Sequence, residues 1–285
     1  MTTFGWVSDT VLRLGAFTCV LVALIALEFW TPRRPLSMNR LQRWTTNLSI
    51  IALGSIVVRI LAVVAGWIAV PLVAMTAAVY AETLQFGLLH QISLPSWGKI
   101  LLAVIVLDFA VWLQHVVSHV WTPLWQLHKM HHADRDFDAT TALRFHPIEI
   151  GLSMLYKVVW VMLLGLPAAG VLVFEVVLNA TAMFNHSNWA MPLWLDRWVR
   201  ILLVTPDMHR VHHSVHKDEH DTNFGFCLSV WDRMFRSYTA QPRDGHVGMT
   251  LGLVAYQNEQ PAELAWSLTL PFKGRPVEAS GSSSK

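Results

Sequence analysis

The hydrophobic pattern divides the chain into apolar runs of membrane-crossing length, separated by short polar or basic breaks. The first run, Val11 to Trp30, spans about 20 residues, enough for a helix to cross a hydrocarbon core. It stops at TPRRPLSMNRLQR, and a second run from about Leu48 to Ala69 completes a predicted hairpin. From Pro71 the stretch PLVAMTAAVYAETLQFGLLHQISLPSWGK is apolar but interrupted. It predicts an interfacial helix on the far side, with Pro95 and Trp97 where the third span begins, from about Lys99 to Val120. Between Ile148 and about Phe184 the chain is apolar again, broken by Gly165-Leu166-Pro167. Two arms of roughly 17 residues predict a tight hairpin at the lower limit of spanning length. The remainder is polar and rich in Trp, and it ends in EASGSSSK, expected to be flexible.

These runs predict an all-α fold: an integral membrane helical bundle of about four to five membrane segments in hairpins, under a histidine-rich helical cap. Three regions are expected, with no internal repeat: a membrane hairpin and interfacial segment at 1–100, a central region at 101–240, and a C-terminal extension at 241–285. Arg59 falls near the middle of the second run. A charge at that depth is expensive and predicts a buried partner, Asp108 or Glu175.

Composition agrees with a membrane protein. The chain is 54% hydrophobic and 14% charged, against about 25% charged in soluble domains. Its 14 tryptophans suit membrane–water interfaces. A net charge of +2 says little about partners, and no basic run or zinc-finger spacing points to nucleic acid. Cys19 and Cys227 sit in dissimilar surroundings, so no disulfide is expected, and without CxxC the chain builds no iron–sulfur cluster of its own. The first run lacks a small-residue cleavage pattern and is not read as a removable signal.

Orientation follows from charge. Arg33, Arg34, Arg40 and Arg43 mark the first short break as cytoplasmic under the positive-inside rule. The same topology places His128 to His146, His186 and His209 to His220 on that face, beside Lys129, Arg135, Arg144, Arg197 and Arg210.

The histidines carry the chemistry. In HVVSH, His115 and His119 are four apart and share a helix face. In HKMHH, His128, His131 and His132 stand at i, i+3 and i+4, and HRVHH repeats this at His209, His212 and His213. His186 follows the second membrane hairpin. Nine imidazoles exceed one zinc site and suit two metal ions. Imidazole accepts zinc, copper, iron or nickel. In a membrane the substrate offers C–H bonds rather than a carbonyl to polarise, which favours an oxygen-activating redox metal, iron.

HVVSH, HKMHH, RFHPIE, NHSNW, TPDMHRVHH and NFGFCLSVWDRMF together resemble the fatty acid hydroxylase/sterol desaturase superfamily, over roughly Leu101 to Tyr238. The resemblance implies a helical membrane base under a cytosolic cap, and two irons that activate dioxygen to hydroxylate, desaturate or otherwise oxidise a lipid or sterol. It makes His115, His119, His128, His131, His132, His186, His209, His212 and His213 the expected ligands. His146, in RFHPIE, also matches a position where many members have histidine, and His216 is a further candidate. Either could complete the shell, since some members carry a histidine about four residues before the position of His186, where this chain reads NATAMFNH. Zinc is expected to occupy the site in overexpressed protein. With no flavin or nicotinamide fingerprint and no haem domain in the sequence, electrons are expected from a separate ferredoxin-like or cytochrome-like donor with its reductase. A zinc-dependent membrane hydrolase and a metal-binding or transport protein stand as alternatives.

Other polar residues have simpler roles in prospect. Asp108 could pair with Arg59 or orient a metal-bound histidine from another helix. Asp207, Asp218, Glu219 and Asp221 read as a solvated charge run, with hydrogen bonding to cap histidines as the alternative, WDRMF as a fold anchor, and His90 and His246 as ordinary interface or loop residues.

Overall fold

The computed structural model describes residues 9–273, and the EASGSSSK tail lies outside them. Helices α1 (Asp9–Trp30) and α2 (Arg40–Ile68) form the first hairpin. α2 has 29 residues, about 44 Å, more than a hydrocarbon core requires. It starts eight residues before the predicted run because Asn39 caps it, accepting a hydrogen bond from Gln42 N at 3.0 Å. Its polar first turns, with Arg43, Thr46 and Asn47, are buried against the cap. α3 (Ala74–Leu84) is the expected short helix at the opposite end. Its alanines 74, 77, 78 and 81 are buried.

α4 (Ser96–Val120) is the third long helix, and α5 (Thr122–His132) restarts at Pro123 after a break at Trp121. α6 (Pro147–Leu164) and α7 (Ala168–Asn185) form the last hairpin. Its turn needs glycine: Gly165 has φ +63°, and a Cβ there would lie 2.5 Å from the Phe86 carbonyl. α1, α2, α4, α6 and α7 are each long and apolar enough to cross a membrane, as a multi-pass membrane protein requires. Close approach between helices is bought by small residues: Gly170 meets Ala103 on α4, and Gly54 on α2 meets Ile150 on α6.

The cap consists of short helices α8 (Leu193–Val199), α9 (Pro206–His212), α10 (Lys217–His220), α11 (Val230–Met234), α12 (Gly245–Gly248) and α13 (Leu264–Thr269). Among the described residues there is no sheet, and the extended contacts are the isolated bridges Pro32–Trp189, Leu203–Leu228 and Ser214–Leu251.

A buried polar loop after α5 ties cap to bundle. The fully buried Arg43 donates to Asp134 and Asp138, both at 2.8 Å. Trp44 Nε1 also donates to Asp138, and Asn47 to Thr140. Asp136 accepts from Ser37 N and Met38 N, while Glu28 on α1 accepts from Ala139 N and Asn188 N. Arg33 donates through Nε and Nη2 to the two carboxylate oxygens of Asp207. Arg33 and Arg43 of the first break therefore have a structural role.

Arg59 departs from expectation. It is exposed, about 200° round α2 from Val57, which packs on Gly151 of α6. Its predicted partners are engaged elsewhere: Asp108 accepts from Trp231 Nε1 at 2.8 Å and Leu228 N at 3.2 Å, and Glu175 pairs with Arg13 of α1. The expected pairing of Arg59 is therefore not found, and the partner of Glu175 is an arginine from a different helix. Cys19 and Cys227 are free, as expected.

Candidate metal centre

Four segments bring nine imidazoles together at the cap end of the bundle. The last turns of α4 carry His115 and His119, α5 carries His128, His131 and His132, His186 caps α7, and α9 with its cap carries His209, His212 and His213. They fall into two groups, His115, His119, His128, His132 and His212 in one, and His131, His186, His209 and His213 in the other. Within each group one ring nitrogen per residue lies within 4.8 Å of all the others. The two HxxHH motifs are shared crosswise. In each, the i and i+4 histidines enter one group and the middle one crosses to the other, so α5 and α9 each contribute to both.

Hydrogen bonds fix which nitrogen faces inward. His115 Nδ1 lies 2.6 Å from the Phe224 carbonyl, His212 Nδ1 2.7 Å from that of Thr222, and His209 Nδ1 3.3 Å from that of Asn223. His186 Nδ1 is 2.7 Å from the Ala182 carbonyl, and His128 Nδ1 is 2.7 Å from Glu149 Oε1. These oxygens only accept, so each Nδ1 must carry the proton and each Nε2 keeps a bare lone pair. Yet His115 Nε2 lies 3.0 Å from Nε2 of both His128 and His212. Lone pairs facing one another repel, and a cation among them removes the repulsion. Two nitrogens about 2.1 Å from one ion, at a right angle, are separated by about 3.0 Å. The pairs His119–His132 and His131–His186 meet the same way, Nε2 to Nε2 at 3.1 Å.

Burial acts in the same direction. It holds His131, His132, His209, His212 and His213 well below the usual imidazole range, with neighbouring histidines lowering them further, and it brings His186 to about 3. The neutral form that results is the one that coordinates metal. Nε2 of His209 and both ring nitrogens of His213 are buried without a hydrogen-bond partner. Such orphans are costly unless a ligand satisfies them. The donor set fits two ions.

The carbonyls of Thr222, Asn223 and Phe224 orient three imidazoles in succession, and the backbone there is specially held. Asn223 sits in the left-handed region at φ +52°, which asparagine tolerates. Its side chain donates to Met208 O and Thr239 O and accepts from Thr239 N. Asp232, the acid of WDRMF, accepts from Phe224 N, Gly225 N, Trp112 Nε1 and Ser237 Oγ. The anchor expected in that motif thus supports the ligand-orienting strand of chain.

Two candidates lie elsewhere. His146 caps α6, accepting from Ile148 N at 3.2 Å, with Nε2 3.2 Å from the Leu268 carbonyl. His216 is half-exposed and pairs with Asp244. Neither reaches a group, because α6 turns His146 away and the cap surface holds His216. Sequence reasoning missed Glu149 and His220, which contact the cluster, while Asp221 takes the histidine-bonding role that was the less favoured of its two readings. Glu149 stands in RFHPIE, but 21 residues from His128, so no periodicity links them. Asp221 reaches His119 Nδ1 at 3.2 Å, whereas Asp218 and Glu219 pair with Arg243 and Asp207 with Arg33 and Arg210. His246 is buried 3.5 Å from Asp207 rather than free in a loop.

Comparison with known proteins agrees with this chemistry. Residues 100–237 match the family described as fatty acid hydroxylase. The ornithine lipid hydroxylase OlsE of Rhizobium tropici is 28% identical over 150 residues, covering 52% of this chain and 44% of that protein. Alkylglycerol monooxygenase of Xenopus tropicalis is 30% identical over 146 residues, covering 50% of this chain and 31% of its own length. The human alkylglycerol monooxygenase is 26% identical over 150 residues, with shares of 50% and 31%. The chain thus matches less than half the length of each of these relatives. No solved structure matches it significantly.

Proposed function

We propose, since residues 100–237 match the fatty acid hydroxylase family, that the protein is a membrane-bound lipid monooxygenase whose nine clustered histidines hold two iron ions. The observation that carries this is the pair of imidazole groups, five and four strong, whose Nε2 lone pairs converge. Iron bound there supplies the activation of dioxygen that attack on a C–H bond needs.

The chain's own residues do the rest. Glu149 and the Thr222–Phe224 carbonyls hold the Nδ1 protons and so keep each ring in its ligating orientation. Phe145 stacks on His131 with centroids 4.4 Å apart, and Phe226 lies 4.8 Å from His115, walls that keep water from the bundle side. Beneath them an apolar cluster around Leu24, Ala142, Met183 and Phe226 runs to a small cleft between α1 and α7, lined by Ala16, Phe17, Val176 and Ala180 with Arg13 and Asn179 as its polar residues. We assign this to the substrate's hydrocarbon chain. The substrate class is a membrane lipid, as the names of the relatives suggest. Electrons come from a separate ferredoxin-like or cytochrome-like donor and its reductase. The cap faces the cytoplasm, in keeping with the exposed Arg197, Arg233, Arg236 and Lys217 at that end. A transporter would carry its ligands near mid-span, whereas these stand at helix ends.

The test is lipid analysis of cells with the wild-type protein or the His132→Ala variant, grown under labelled dioxygen. A lipid that gains one labelled oxygen atom only with the wild type is the expected result. Full turnover under argon would sink the oxygenase and favour a hydrolase.

A further inference from the structure

Where the nine-imidazole cluster approaches the cap surface, Asp221, His220 and His119 offer ligand atoms within 4.8 Å of one another. His119 has two sides. Its Nδ1 is 3.2 Å from Asp221 Oδ1, and its Nε2 is 3.1 Å from His132 Nε2 inside the five-histidine group. The same Asp221 oxygen is 3.4 Å from His220 Nε2. Side-chain exposure falls inward, from 37% at Asp221 to 12% at His220 and 0% at His119. The other eight clustered imidazoles are buried. Trp125 walls one side, its ring 5.0 Å from His220 and 5.2 Å from His119.

We propose that Asp221, His220 and His119 form a capture site that passes a divalent cation from solvent to the five-histidine group. The proposal rests on reading the nine histidines as metal ligands. A group made of neutral imidazoles has no charge with which to draw a dication from water. Asp221 supplies that charge at the surface, and its neighbours Asp218 and Glu219 are already paired with Arg243. A carboxylate oxygen and an imidazole nitrogen can replace part of the ion's hydration shell before the remainder is shed inside. His119 then connects the two sites, since one ring presents a nitrogen to each.

Cobalt(II) serves as the probe, because ligation by imidazole gives it a visible spectrum. Full-length protein in detergent is stripped with a chelator and mixed with Co2+ in a stopped-flow instrument. Asp221→Asn and His220→Gln should slow filling about tenfold or more, the scale on which local charge alters association, with the final cobalt count unchanged. Filling at the wild-type rate in both variants overturns the capture site. A lowered final count also overturns it, for these would then be resident ligands. If wild-type protein binds no cobalt at all, the nine-ligand reading itself falls, and that outcome is separate because it needs no variant.

Discussion

Glu149 Oε1 stands 2.7 Å from His128 Nδ1, joining the first turn of α6 to the middle of the histidine cluster. The contact fixes the His128 tautomer and leaves its Nε2 facing that of His115 at 3.0 Å. Partners of this kind are worth 10–100-fold in metal affinity. Glu149→Gln should weaken metal binding within that range while leaving helical content unchanged. A competition titration against a chromogenic chelator measures it, and affinity equal to the wild type's would remove Glu149 from the site.

On the proposed function, each of the two groups of imidazoles takes one ion. Protein made with sufficient iron should contain about two irons per chain, or zinc in part when overexpressed. His132→Ala and His213→Ala, one from each group, should each lower the metal count and abolish hydroxylation. His90→Ala and His216→Ala should change neither. Elemental analysis alongside an activity assay decides, and one ion in a fully loaded, active chain would refute the two-metal site.

Metal should also hold the fold together. α4, α5, α7 and α9, with their C-caps, all contribute histidines to the two groups, so ions that bind the native state there would stabilise it by mass action, by about 4 kcal/mol at a thousandfold excess over Kd. Chelation should therefore lower the Tm of the purified protein, and re-added iron should restore it. A Tm indifferent to chelation, with metal shown to be gone, would contradict this.

Arg43 is buried among Asp134 and Asp138. Removing one partner of such a set leaves uncompensated charge, which costs about 3–5 kcal/mol. Arg43→Met should thus reduce the yield of folded protein sharply. Adding Asp134→Leu should recover part of it, because less unpaired charge remains. Equal yields of Arg43→Met and wild type, measured by size exclusion in detergent, would show that the network carries little.

Within the bundle the ion pair to test is Arg13–Glu175. Arg13→Leu should lower folded yield, and the double variant Arg13→Leu/Glu175→Leu should recover part of the loss. Arg59→Leu should be close to neutral, since Arg59 is exposed and its expected partners are engaged elsewhere. A severe Arg59→Leu defect would reverse this assignment.

Much of this was legible along the chain. The length of each apolar run determines whether a helix can span a bilayer, and all five long helices lie where those runs predict them. Spacing at i and i+4 determines which histidines share a helix face, so His128 with His132, and His209 with His213, arrive together in one group. Both signals are local, because helix geometry is the same whatever surrounds it.

Tertiary packing decided the partners. Nothing local tells His131 to leave its neighbours and join His186, 55 residues away, or seats Glu149 on His128. His146 belongs to the same stretch of sequence as Glu149, yet it is spent capping α6. The rotation of each helix about its axis made these choices, and with them Arg13 rather than Arg59 as the partner of Glu175. That rotation is set by where small residues such as Gly54 and Gly170 let helices approach. A one-dimensional pattern states which residues lie on one face, but not which face of another helix they meet.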